Sequence, residues 1–186
     1  MKVSESDILI LPGLGGGTPE HWYNRWAQKL STARRVEQRD FDNPRFEEWS
    51  ARVGEAVAAA SRPVVLVGHS LGAVTACLIG ARLPGVAAAM LVAPAAPRAL
   101  LNIAEVDKAF AHEKAARLPY PCLLVASRND PYATYEESTE RAAMLGATLV
   151  DAGESGHINP DSGHGPWPEG LMRFAHFLGT LKAREN

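Results

Sequence analysis

The sequence predicts an α/β fold, a parallel sheet of about six strands with helices on both faces, within a single domain spanning residues 1–186. Three observations carry that prediction. Short apolar runs bounded by glycine or proline alternate with longer segments whose apolar residues recur at helical spacing, as in strand–helix–strand units with right-handed crossovers. One unit, Val64-Val-Leu-Val67 followed by Gly68-His-Ser-Leu-Gly72, passes from a buried strand through a tight turn into a helix. The length, with 46% hydrophobic and 22% charged residues, suits one substantial core and not two.

Taken in order, Asp7–Leu11 is a short buried strand ended by Pro12, and a glycine loop, Gly13 to Gly17, leads into a helix from about Pro19 to Ser31. Trp22, Trp26 and Leu30 share one face of that helix. Trp26 reads as core; for His21 and Trp22, at the helix start, both packing and a substrate-lining role are open. Val36–Arg39 reads as a second strand, and Asp40-Phe-Asp-Asn-Pro44 as a loop of turn formers. A helix is expected over about Arg45–Ala60, with Phe46, Trp49, Val53, Ala56 and Val57 on its buried face. After the strand at Val64, the next helix turns Val74, Cys77, Leu78 and Ala81 inward and stops at Pro84-Gly85. Ala87–Val92 is the following strand. Between Ala95 and Pro119 no strand is expected; a helical segment over Ile103–Arg117 reads either as a small lid above the strand ends or as a crossover helix on the sheet. Pro121–Ala126 is a strand, Thr134–Leu145 a helix with Gly146 as its C-cap, and Ala147–Val150 the last strand. A final helix over Pro168–Leu181 has Leu171, Phe174, Ala175 and Leu178 as its apolar stripe.

The turn at Gly68-His-Ser-Leu-Gly72 carries the chemistry. Side chains at the two glycines would collide with neighbouring backbone, so glycine there lets Ser70 project from the tip of a strained turn. The helix start beyond it offers a positive dipole end and the Leu71 N–H to a developing oxyanion. The competing reading is a serine that merely caps a glycine-rich helix start. A serine hydroxyl needs an imidazole to take its proton, and the imidazole needs a carboxylate to fix its tautomer. Asp130 and His157 both stand just past a predicted strand, on the same sheet edge as Ser70, in the chain order Ser-Asp-His typical of α/β-hydrolases. His164 competes with His157, and Asp151 and Asp161 with Asp130, from less direct positions. His69, in the strand–turn junction, reads as packed or substrate-lining and not as a base. The loop at Gly13 would supply a second oxyanion N–H from Leu14. The same strand–glycine–helix order could open a dinucleotide-binding fold, but Gly-x-Gly-x-x-Gly would require glycine at Thr18, and no Walker-type lysine is present.

A net charge of -2 and the lack of any basic run beyond Arg34-Arg35 argue against a nucleic-acid partner. No stretch is apolar for the roughly 20 residues a bilayer span requires, and the amino terminus is not built as a signal peptide, so a cytoplasmic protein without a membrane partner is expected. Cys77 and Cys122, both on apolar elements, read as reduced core residues, with a disulfide between them as the open alternative. No Cys/His pair has metal-ligand spacing, and no cofactor is expected.

Along nearly its full length the chain resembles the small serine hydrolases related to retinoblastoma-binding protein nine and bacterial YdeN. The landmarks are Leu11-Pro-Gly13 with His21-Trp22 and Trp26, Asn43-Pro44 with Trp49, Gly68-His-Ser-Leu-Gly72, Ser127-x-Asn-Asp-Pro-Tyr132, Gly156-His-Ile-Asn159 and Ser162-Gly-His-Gly-Pro-Trp-Pro-Glu-Gly170. The resemblance implies a compact α/β-hydrolase fold with a small lid or none, strand order 2-1-3-4-5-6, and the triad Ser70, Asp130, His157. Phe41 and Leu145 stand where the family often has tryptophan, and the Leu-x-Cys-x-Glu pattern tied to retinoblastoma-protein binding is absent. The expected function is hydrolysis of small-molecule esters or amides, as an esterase or a small amidase, with no protein partner assigned. The alternative is an interaction module that keeps the fold with an idle triad.

Overall fold

The structure, a computed structural model, describes residues 1–181; residues 182–186 of the expected domain lie outside the described residues. Strands β1 (Asp7–Leu11), β2 (Ala33–Arg35), β3 (Val64–His69), β4 (Val86–Val92), β5 (Cys122–Ala126) and β6 (Thr148–Asp151) form one sheet in the order β2-β1-β3-β4-β5-β6. Every neighbouring pair is parallel, so all carboxyl ends lie at one edge: Leu11 pairs with Gly68, His69 with Val92, Val92 with Val125, and Ala126 with Asp151. The helices are α1 (Trp22–Lys29), α2 (Phe46–Ala58), α3 (Leu71–Ile79), α4 (Pro97–Leu101), α5 (Ala109–His112), α6 (Tyr135–Leu145) and α7 (Pro168–Thr180).

The period of two along each strand divides the apolar side chains between two cores. Leu9, Leu11, Leu66 and Leu91 join Trp49, Val53, Val74 and Leu145 from α2, α3 and α6 on one face. Ile8, Ile10, Val65, Val67 and Met90 join Trp22, Trp26, Phe174 and Leu178 from α1 and α7 on the other. Strands covered on both faces need no polar alternation, which is why β1 and β3 read as unbroken apolar runs. Among the described residues no helix is long and apolar enough to cross a membrane.

Three sequence expectations are corrected. The second strand lies at Ala33–Arg35, not Val36–Arg39. It is an edge strand defined by backbone pairing to Ile8–Ile10, so apolar content pointed a few residues too far; the Val36 N–H, donating to Ile10 O at 2.8 Å, closes the pairing. The helix expected over Ile103–Arg117 is only the single turn of α5. Asp107 accepts the N–H of Phe46 at 3.1 Å and of Ala109 at 3.0 Å, and Lys108 Nζ donates to Ile103 O at 2.6 Å, so side chains take backbone groups that a helix would pair. On α7, Leu171 and Ala175 face solvent, and the buried stripe is Gly170, Phe174, Phe177 and Leu178. The Trp167 ring lies where a side chain at Gly170 would sit, and Phe174 stacks on Trp26, turning that face of the helix to the sheet.

Candidate active site

Ser70 follows β3 with φ 51° and ψ −120°, a conformation rare for any residue with a side chain. Two bonds hold it there: Ser70 N–H donates to Val92 O, and its own carbonyl accepts from Val74 N–H, each at 3.0 Å. The glycines on either side are sterically required. A Cβ at Gly68 would stand 2.7 Å from Ala73 Cα, and one at Gly72 would overlap the carbonyl oxygens of Leu11 and Pro12. The Ser70 hydroxyl makes no cap bond to the helix, which removes the reading of a simple capping serine.

Its oxygen lies instead 2.9 Å from His157 Nε2, and His157 Nδ1 lies 3.0 Å from both oxygens of Asp130. An ionised carboxylate only accepts, so Nδ1 carries the ring proton and Nε2 presents a lone pair to the serine O–H. The His157 and Asp130 side chains are 9% and 3% exposed, and shielding from water strengthens each bond of the run. Tyr132 N–H donates to Asp130 Oδ1 at 2.9 Å, and its ring leans on the imidazole at 4.5 Å.

The loops bearing the carboxylate and the imidazole are tied by residues the sequence reading did not single out. Asn129 Oδ1 accepts from Ser127 Oγ at 2.8 Å and from Gly156 N–H at 2.7 Å, while Ser127 Oγ accepts from Ser155 N–H at 2.9 Å. Both lie in Ser127-x-Asn-Asp-Pro-Tyr132, so their closeness to Asp130 was the available signal.

A cavity of about 460 Å³ opens beside Ser70. Its lining includes Leu100, Ile103 and Val106 together with Thr18, Glu20, His21 and Asp161, and among the described residues no lysine or arginine contributes. The 95–112 segment thus contributes lining residues through its short helix α4 and the loop that follows, and no lid is evident among the described residues. Leu14 and Leu71 also line the cavity, and among the described residues neither N–H is taken by a backbone or side-chain acceptor. The loop before Leu14 runs close to the serine, since a Cβ at Gly13 would stand 3.0 Å from Ser70 Cβ.

The remaining expected residues separate. His21 lines the cavity, stacked on Tyr23 at 3.6 Å, and burial followed by the nearness of His157 pushes its pKa down to about 3, so it is neutral. His69 lines the cavity and donates from Nε2 to His157 O at 2.9 Å. Trp22 corrects an expectation: it is fully buried, absent from the cavity wall, and donates from Nε1 to Ile158 O. It marks the other side of the same junction, where helical spacing could not say which way the ring turns. His164 bonds Ser162 Oγ at 3.2 Å, and Asp151 pairs with Arg128; neither reaches the cavity. Among the described residues no group of three His, Cys, Asp or Glu side chains is arranged to hold a metal ion.

The sheet order, the elbow and the convergent loops define the α/β-hydrolase class. The chain belongs to the serine hydrolase family, whose model matches residues 8–176. The crystal structure of a YdeN-like hydrolase from Pectobacterium atrosepticum superposes with a TM-score of 0.85 at 34% identity, covering 97% of this chain and 95% of that one. The ydeN gene product of Bacillus subtilis superposes at 0.79 and 18% identity, covering 95% and 100% of the two chains. Est1E of Butyrivibrio proteoclasticus, solved with ferulic acid bound, gives 0.66 at 13% identity over 91% and 89%, a likeness of fold. Curated protein sequences give no significant match.

Proposed function

We propose that this hydrolase cleaves small ester or amide bonds through an acyl-enzyme, with Ser70 as nucleophile, His157 as general base and acid, and Asp130 as its orienting carboxylate. The observation that carries this reading is the continuous run from Ser70 Oγ through the His157 ring to Asp130, at 2.9 and 3.0 Å, on the wall of the cavity. Ser70 Oγ attacks the carbonyl carbon as its proton passes to His157 Nε2. The carbonyl oxygen becomes an oxyanion held by the N–H groups of Leu71 and Leu14. His157 returns the proton to the leaving alcohol or amine as the C–O or C–N bond breaks. Water then repeats the sequence on the acyl-serine and releases a carboxylic acid. Asp130 keeps the proton on Nδ1 and stabilises the imidazolium without being protonated itself. The cavity supports a neutral or weakly charged small molecule whose acyl part lies against Leu100, Ile103 and Val106.

The test is pre-steady-state hydrolysis of short p-nitrophenyl esters. An initial burst of p-nitrophenol close to one equivalent per chain is expected, absent in Ser70→Ala. A wild-type burst in that variant would overturn the proposal.

A further inference from the structure

Immediately after His157 the backbone at Ile158 has φ 49°. A β-branched residue takes that conformation only where its surroundings hold it. Here two ring N–H donors hold successive carbonyls: Trp22 Nε1 donates to Ile158 O and His69 Nε2 to His157 O, each at 2.9 Å. Among the described residues no backbone N–H takes either oxygen. A carbonyl oxygen only accepts, so His69 carries its proton on Nε2. Burial first, and then the neighbouring rings of His157 and His21, push the His69 pKa well below the ordinary 6.5, so the ring is neutral with Nδ1 bare.

Both donors are themselves immobilised. Trp22 is 0% and His69 3% exposed, and their rings meet edge to face at 5.9 Å. Trp22 also packs on Trp26 at 4.8 Å and on Trp167 at 4.9 Å, while the His69 ring lies 4.9 Å from that of His157. His69 is the residue before the nucleophile, so one of the two donors ties the His157 backbone to the strand that presents Ser70. Releasing either carbonyl would let Ile158 relax toward negative φ and swing the His157 ring away from Ser70 Oγ. A displacement of about 1 Å between reacting groups costs on the order of 100-fold in rate.

We propose that Trp22 and His69 are positioning residues, a pair of N–H clamps that hold the strained His157–Ile158 turn and so aim the imidazole at Ser70. The proposal rests on reading Ser70 and His157 as the catalytic pair. Trp22→Phe keeps a ring in the core and removes the N–H; His69→Leu removes the other donor, and His69→Gln restores an amide N–H at matching reach. On a p-nitrophenyl ester, Trp22→Phe and His69→Leu should lower kcat by about tenfold or more with KM within about twofold of wild type, and His69→Gln should recover most of the loss. In isotope-labelled wild-type protein, long-range proton–nitrogen NMR correlations should show His69 as the neutral Nε2–H tautomer.

Wild-type kcat in both donor-deleting variants, a fall carried by KM alone, failure of His69→Gln to recover any of the His69→Leu loss, or a His69 proton on Nδ1 would each overturn it. Ser70→Ala and His157→Ala separate the two readings. If either retains wild-type turnover, the clamp and the triad beneath it both fall; if both abolish turnover while the donor-deleting variants keep kcat, the clamp alone falls.

Discussion

Gly68 and Gly72 decide whether Ser70 reaches the cavity, because the turn they flank leaves no volume for a methyl group. A Cβ at Gly72 falls on the carbonyl oxygens of Leu11 and Pro12, which are backbone and cannot swing aside. Gly72→Ala is therefore expected to lose about 3 kcal/mol or more of stability in chemical denaturation, the upper range for overpacking. Little change would mean that the elbow backbone yields more than its bonding suggests. At the same scale, His157→Ala removes the only side chain bonded to Ser70 Oγ among the described residues. Its kcat should fall by about six orders of magnitude with KM little changed, measured on a p-nitrophenyl ester. A fall confined to KM would assign His157 to binding and leave proton transfer to another group.

At the scale of elements, the chain from α4 to Val106 supplies Leu100, Ile103 and Val106 to the wall of the cavity, where under the proposed reading it would set the acyl-chain preference. Its fold depends on Asp107 and Lys108 holding backbone groups, and α5 docks through Phe110 against Phe46 and Trp49 at 5.3 and 5.8 Å. Ile103 lines the cavity without being fully buried, so it can be cut back with little damage to the core. Ile103→Ala should shift kcat/KM toward longer acyl chains, by about tenfold for a methylene newly accommodated. An unchanged profile across a p-nitrophenyl ester series would place the acyl group elsewhere. This segment was also the least legible in the sequence. Val106, Ala109 and Phe110 fit a helical period, but Lys108 takes the nearby carbonyl of Ile103 and Asp107 the N–H of distant Phe46, and such pairings leave no periodic trace.

For the molecule as a whole, two neutral buried histidines weaken the fold as pH falls below 6.5. Above pH 6.5 neither the folded nor the unfolded chain protonates His21; from there down to about 3 only the unfolded chain does, so stability falls as pH falls, and below about 3 the dependence ends. His69, also shifted down, adds the same sign below 6.5. Urea denaturation between pH 6.5 and 5 should show stability falling as pH falls, the His21 share approaching a slope of about 1.4 kcal/mol per pH unit toward pH 5, and His21→Phe should remove that share. Equal slopes in the variant and the wild type would mean that His21 protonates in the folded state. The sheet itself was legible because β1, β3, β4 and β5 are covered on both faces and read as apolar runs; β2 was displaced because an edge strand needs only backbone pairing. Ser70, Asp130 and His157 were legible because a parallel sheet sends every strand end to one edge. Trp22 and Asn129 were not, since their side chains bond backbone groups remote in sequence or belonging to another loop.

The most direct measurement is peptide mapping by mass spectrometry after exposure to a fluorophosphonate. The account predicts one adduct, on Ser70, formed far more slowly in His157→Ala and absent in Ser70→Ala. An adduct on another residue, or labelling of His157→Ala at the wild-type rate, would contradict it.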